Sequence, residues 1–170
     1  MACRKAFYNL RYEGPMTPPS IRGTLHYPGP AGGMNWGSVA VDEERQLMVV
    51  NNLHLAWTIH MIPREDVVKG TRAGASAGFG IGGPQRGTPF AARVGMFASP
   101  IGLPCLKPPY GEIAVVDLTS QEILWRRGVG PLNLGFPYTA GSFVTASGLI
   151  FNAGVIDGRL RAMDTLTGDV

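Results

Sequence analysis

Long apolar runs are missing from this sequence. The longest, such as Leu47 to Val50, fall far below the roughly 20 residues that a membrane-crossing helix needs, so no segment reads as a span. The stretch behind Met1, ACRKAFYNLRYEGP, holds no apolar core of the length a secretory leader requires. Charge is also sparse: 16% of residues are Asp, Glu, Lys or Arg, and the net charge is +3. The basic residues are scattered and form no stripe interleaved with aromatics, which argues against a nucleic-acid partner. Cysteine occurs only twice, as Cys3 and Cys105, and their wide separation fits no close-spaced metal pattern. Two independent, partly buried thiols are the favoured reading. A disulfide is the alternative, and it requires an oxidising compartment.

Familiar catalytic motifs are equally scarce. His26, His54 and His60 are not spaced as one metal cluster, and each reads as a surface or satisfied-core residue. No nucleophile elbow surrounds Ser142 or Ser147, which argues against a hydrolase. Gly78, Gly80, Gly82 and Gly83 crowd together, but no Gly-Lys-Ser/Thr ending follows, which argues against a nucleotide phosphate loop. The stretch GTRAGASAGFGIGGPQRGTPF that holds them reads as flexible coil. Asp42, Glu43 and Glu44 read as a hairpin turn rather than a paired acid and base.

What the chain does have is turn residues and a repeat. Its 24 glycines and 14 prolines, with 45% hydrophobic content, suit many turns between short strands around one ordinary core. GEIAVVDLTSQEILW and RLRAMDTLTGDV share a pattern: Val115, Asp117, Gln121 and Trp125 match Ala162, Asp164, Gly168 and a position just past Val170. Each copy reads as a hairpin in which the Asp carboxylate holds the turn amides. The offset is 47 positions (Asp117 to Asp164). A unit of that size holding four short strands is close to a propeller blade, and a blade cannot bury its faces singly. The break in the later copy points to a chain that is part of something longer.

Gly37-Ser38 followed by VAVDEERQLMVVNN also resembles Gly141-Ser142 followed by FVTASGLIFNAG. From Ser38 to Asp117 is 79 positions and from Ser142 to Asp164 is 22, so the first unit carries an insertion of 57 residues. The expected organisation is an irregular lead-in over 1–33, two strands within 34–52, an irregular insertion over 53–110 and blade repeats over 111–170. Within the insertion, Pro63 followed by Glu65 and Asp66 predicts a short helix from Arg64 to Lys69.

Gly32-Gly33-Met34-Asn35-Trp36-Gly37 is the most specific short motif. Glycines let a flat ligand approach the backbone, Asn35 offers a donor and an acceptor, and Trp36 offers a stacking face. The competing structural reading has Trp36 packed between blades and Asn35 capping a turn. That motif, CRKAFYNLRYEGPMTPPSIRGTLHYPGPA before it, then MIPRED, SPIGLPCLKPPYGEIAVVDL and TASGLIFNAGVIDGRLRAMDTLTG, together resemble the C-terminal part of the membrane-bound, pyrroloquinoline-quinone (PQQ)-dependent glucose, quinate and polyol dehydrogenases.

The resemblance covers nearly the whole chain. It implies an all-β fold, two to three blades of an eight-bladed propeller, with the long irregular insertion. It implies PQQ near the propeller axis with calcium or magnesium, a sugar or polyol substrate oxidised on the periplasmic side of the inner membrane, and ubiquinone as electron acceptor through a membrane-anchored N-terminal part. Asn35 matches the family asparagine that approaches the quinone carbonyls, with Trp36 as its adjacent aromatic; Trp125 matches a docking tryptophan. The catalytic base and the metal ligands of the family match nothing in this chain. Gln121 departs from the pattern by replacing a turn glycine, which predicts a different or a strained turn, and Ser38 stands where relatives often have Gly. A non-catalytic propeller scaffold of the same repeat superfamily is the alternative function.

Overall fold

The computed structural model describes residues 1–67, 81–135, 140–155 and 157–170. In chain order its elements are helix α1 (Ala2–Asn9) and strands β1 (Thr24–His26), β2 (Val39–Asp42), β3 (Leu47–Leu53), β4 (Trp57–Pro63), β5 (Ile81–Gly83), β6 (Phe90–Met96), β7 (Gly111–Asp117), β8 (Glu122–Gly128), β9 (Ser142–Val144), β10 (Leu149–Asn152) and β11 (Arg161–Asp164). They fall into two compact units, one of Ala31–His54 with Lys107–Val170 and one of Met1–Pro30 with Leu55–Leu106.

The first of these, the blade unit, holds a four-stranded antiparallel sheet in the order β2-β3-β7-β8 and a three-stranded one in the order β11-β10-β9. β3 reads LMVVNNL with alternate residues buried, the period-2 signature of a strand with one face on a core. Its register against β7 runs from Leu47 opposite Asp117 to Leu53 opposite Gly111. The core gathers Leu47 and Val49 from β3, Ile113 and Val115 from β7, Ile150 from β10 and Met163 from β11, with Val129 and Val155. Each large apolar side chain in it contributes roughly 1.5–3 kcal/mol over the exposed state.

One turn geometry recurs three times. Asp117 Oδ1 accepts the backbone N–H of Thr119 at 2.7 Å and of Ser120 at 3.2 Å. Asp164 Oδ1 accepts those of Leu166 at 2.8 Å and Thr167 at 2.9 Å, and Asp42 Oδ1 that of Arg45 at 3.0 Å. These amide bonds hold all three carboxyls below their ordinary range. Four residues after each Asp the backbone turns left-handed, at Gln46 (φ 54), Gln121 (φ 61) and Gly168 (φ 74). Gln121 therefore occupies the same turn as its glycine counterpart, and the strain expected there is real.

The second unit corrects the expectation of irregular chain at 1–33 and 53–110. Residues from both stretches build one four-stranded sheet in the order β1-β4-β6-β5, preceded by α1. β4 pairs with β6 from Trp57 opposite Met96 to Pro63 opposite Phe90, and β1 closes the other side of β4. Only Trp57 in β4 is fully buried and the remaining six residues are half-buried. That pattern has no alternation for a sequence reading to find. The prolines of the lead-in do keep β1 short and at the edge of its sheet.

Cys3 and Cys105 form a disulfide, which overturns the favoured reading of two independent thiols. It ties α1 to a small core of Leu25, Ala56 and Phe97, with Ala6, Leu10 and Leu106 packed around it. The helix expected from Arg64 is a single 3-10 turn, Arg64–Asp66, because Val67 is already extended (φ −78, ψ 104); Lys69 lies outside the described residues. Most of the glycine-rich stretch also lies outside them, but Ile81–Gly83, expected as coil, pairs with β6 as β5.

Candidate functional site

The Gly-Gly-Met-Asn-Trp-Gly segment leads into β2 in the blade unit, and three of its residues anchor it. The N–H of Leu53, at the end of β3, donates to Gly33 O at 2.6 Å. Gly37 lies against residues 140 and 141 so closely that a Cβ there would come within 2.7 Å of both the N and the Cα of Gly141. Asn35 folds its amide onto its own loop: Nδ2 donates to Ala31 O at 2.8 Å, and Oδ1 accepts from the Trp36 N–H at 2.7 Å. Its carbonyl accepts from the Ser38 N–H at 2.8 Å, and Ser38 is left-handed (φ 50), a conformation that favours glycine.

Trp36 is 97% exposed. Among the described residues it packs against no blade, contrary to the structural reading of it, whereas the turn-capping half of that reading describes Asn35. The recess beside Asn35, with about 190 Å³ of empty space between Gly33, Gly37, Asn51 and Ala140, is too narrow to admit a water molecule. Among the described residues this recess therefore encloses no room for a ligand beside Asn35. An amide nitrogen carries a second hydrogen and an amide oxygen a second lone pair, so the loop bonds of Asn35 do not exhaust its hydrogen-bonding capacity.

Trp125 takes the structural position expected of it. Its indole N–H donates to Thr165 O at 2.9 Å, and its ring lies 2.9 Å from where a Cβ on Gly168 would sit. Arg127 donates to Gly168 O beside it. Only a glycine fits under that ring, so β8 of one repeat is docked on the turn of the next.

The histidines do not converge. His26 and His60 belong to the second unit, where burial pushes the His60 imidazole down, aided by Arg93 opposite it. His54, in the blade unit, has Nε2 2.9 Å from Glu112 Oε1 and 3.1 Å from Asn52 Nδ2. Among the described residues no three His, Cys, Asp or Glu side chains gather as a metal site.

A polar group that the sequence reading missed lies next to the Asn35 loop. Asn51 Nδ2 donates to Ala140 O at 3.0 Å, Ser142 Oγ donates to Asn51 Oδ1 at 2.9 Å, and Asn152 Nδ2 donates to Ser142 Oγ at 3.0 Å. Its signal was present in LMVVNN, where an alternating apolar face runs directly into asparagine.

Blades built on an Asp turn and joined by a tryptophan docked on the next turn's glycine define a repeat-built propeller protein. All 170 residues match the family described as the PQQ "Glucose/ethanol/alcohol dehydrogenase, beta-propeller domain", and the chain belongs to that family. It is 37% identical over 185 residues to a probable quinate dehydrogenase (quinone) of Xanthomonas campestris pv. juglandis, covering 99% of this chain and 23% of the relative. It is 33% identical over 189 residues to the quinoprotein glucose dehydrogenase of Escherichia coli (strain K12), covering 99% and 23%. A glycerol dehydrogenase large subunit of Gluconobacter oxydans (strain 621H) is 31% identical over 196 residues, covering 99% and 26%. The chain spans about a quarter of the length of these curated relatives.

The cofactor that the family implies is a flat, carbonyl-bearing quinone. The exposed face of Trp36 and the remaining capacity of the Asn35 amide suit such a group as one wall of its site; the narrow recess does not suit it as a cavity.

Proposed function

We propose that this chain works as part of a quinoprotein dehydrogenase that oxidises a hydroxyl of a sugar or polyol, glucose-like or quinate-like, and contributes one wall of its PQQ site. The match of the PQQ family to residues 1–170 carries this reading. The names of the relatives support the substrate class, since they include quinate, glucose and glycerol dehydrogenases. When bound, the quinone supplies the electron sink for oxidation of the hydroxyl carbon.

Within that reading Trp36 stacks against the quinone plane, and the Asn35 amide hydrogen-bonds its carbonyls while the loop bonds from Ala31 and Trp36 hold the amide in place. We place the catalytic base and the ligands of a calcium or magnesium ion outside this chain. Ubiquinone is the proposed electron acceptor and the periplasmic side of the inner membrane the proposed location. The Cys3–Cys105 disulfide supports an oxidising compartment. No helix among the described residues is long and apolar enough to cross a membrane, so any membrane contact is proposed to come from another part of the protein.

Asn35→Ala in the full-length dehydrogenase tests the assignment. The variant should keep its fold by circular dichroism and weaken PQQ binding roughly 5-fold, the loss expected when a charge-free hydrogen bond of about 1 kcal/mol disappears. Wild-type PQQ affinity and turnover in that variant would remove Asn35 from the site.

A further inference from the structure

The apolar core of the blade unit ends in a polar layer. On β3 the buried face that starts with Leu47 and Val49 continues into Asn51, and on β10 the buried face of Ile150 continues into Asn152. Asn152 is 1% exposed and its Oδ1 has no partner among the described residues. Burying amides where leucine or valine would pack is unfavourable unless they do something specific. Here the bonds run to one place. Asn51 holds Ala140 through its carbonyl and accepts from the hydroxyl of Ser142, and Asn152 reaches both Ser142 Oγ and, at 3.4 Å, Gly141 O. Residues 140 and 141 are those against which Gly37 is pressed, two positions after Asn35, and a Cβ on Gly141 would in turn come 2.7 Å from Gly37 O.

We propose that Asn51 is a positioning residue for the quinone-facing loop: by fixing Ala140 and Ser142 it sets the backbone surface on which Gly37 rests, and so the placement of Asn35 and Trp36. This rests on the reading of those two residues as the part of the chain that meets the cofactor. Asn51 itself touches no reacting atom. The donation from Nδ2 to Ala140 O is the bond that matters most, because Ala140 and Asn51 both line the recess beside Asn35.

The test uses the full-length dehydrogenase and reads PQQ affinity of the apoprotein by tryptophan-fluorescence titration, together with apoprotein thermal stability. Asn51→Leu should weaken PQQ binding roughly 5-fold, the change that corresponds to loss of one neutral hydrogen bond. Asn51→Asp, which still accepts from Ser142 but cannot donate to Ala140, should do the same and guards against a leucine variant that fails to fold. Leu47→Ala, a core change on the same strand, should lower thermal stability at least as much and leave PQQ affinity unchanged. Equal weakening by Leu47→Ala, or wild-type affinity in both Asn51 variants while Asn35→Ala binds poorly, would overturn the positioning role and leave the Asn35 assignment standing. Wild-type affinity in Asn35→Ala and the Asn51 variants alike would instead remove the assignment on which the proposal rests.

Discussion

At the scale of single residues, the chain sets an Asp at each hairpin and then treats the left-handed position four residues on in two ways. At Gly168 the site is crowded: the ring of Trp125 would meet a Cβ at 2.9 Å, so glycine is required by both conformation and space. At Gln46 and Gln121 only the conformation asks for glycine. Gln46 recovers part of the strain by donating from Nε2 to Glu43 O at 2.6 Å, whereas Gln121 is solvent-exposed. Gln121→Gly should therefore stabilise the protein by about 1 kcal/mol, the approximate difference between a left-handed L-residue and glycine, with a smaller gain for Gln46→Gly. Gly168→Ala should destabilise it. Denaturation midpoints of the three variants in the full-length protein check this, and a neutral Gln121→Gly would mean that the turn is relaxed as it stands. Gln121 and Gly168 were legible in the sequence because an Asp carboxylate and a residue four places later act locally, within one turn, and the repeat sets the two copies side by side; Gln46 was not, since its turn reads only as a hairpin at Asp42, Glu43 and Glu44. The self-bonding of the Asn35 amide was legible only as a turn cap, one of two competing readings, since nothing in Gly-Gly-Met-Asn-Trp-Gly says that Ala31 O lies within its reach.

At the scale of elements, legibility depended on where each strand finds its partner. β7 and β8 pair with each other across residues 118–121, and β9 and β10 across residues 145–148, and an apolar pattern beside turn residues marks them. β3 pairs with β7 across the whole insertion, yet the repeat spacing still exposes it. β1, β4 and β6 belong to no repeat and pair over long separations, so 1–33 and 53–110 read as irregular although they form a sheet. The same separation hides the disulfide, since the 102 positions between Cys3 and Cys105 carry no pairing signal. That length makes the bond valuable. Cross-linking a loop of about 100 residues is worth about 4–5 kcal/mol in the chain-entropy account, and the core beneath it is only Leu25, Ala56 and Phe97 with a few partly buried neighbours. A Cys3→Ser, Cys105→Ser double variant should lose protection from proteolysis across Met1–Pro30 and Leu55–Leu106 while Ala31–His54 and Lys107–Val170 stay protected. Equal protection with and without the bond would show that the small core suffices.

At the scale of the whole molecule, the blade unit leaves several large apolar side chains uncovered. Phe143 stacks on Phe151 with ring centroids 5.0 Å apart and is still 58% exposed. Ile123 and Leu124 on β8, Val41 on β2 and Leu166 after β11 are exposed as well. Surfaces of this kind on the faces and rims of blade sheets are where neighbouring blades pack in a propeller, and among the described residues β2, β8, β9 and β11 each present an unpaired strand side. Isolated large apolar residues are ordinary on a protein surface, but several on the edge strands of one unit are an association hazard. The 170 residues expressed alone should therefore bind a hydrophobic dye and associate in a concentration-dependent way by light scattering, without PQQ-dependent oxidation of glucose or quinate. Two surface changes on β8, Ile123→Lys and Leu124→Glu, should reduce that association without restoring activity. A monodisperse, dye-negative chain that melts cooperatively and oxidises sugar on addition of PQQ would show that these 170 residues are sufficient, and that the exposed faces of β2 and β8 are finished surfaces rather than seats for further blades.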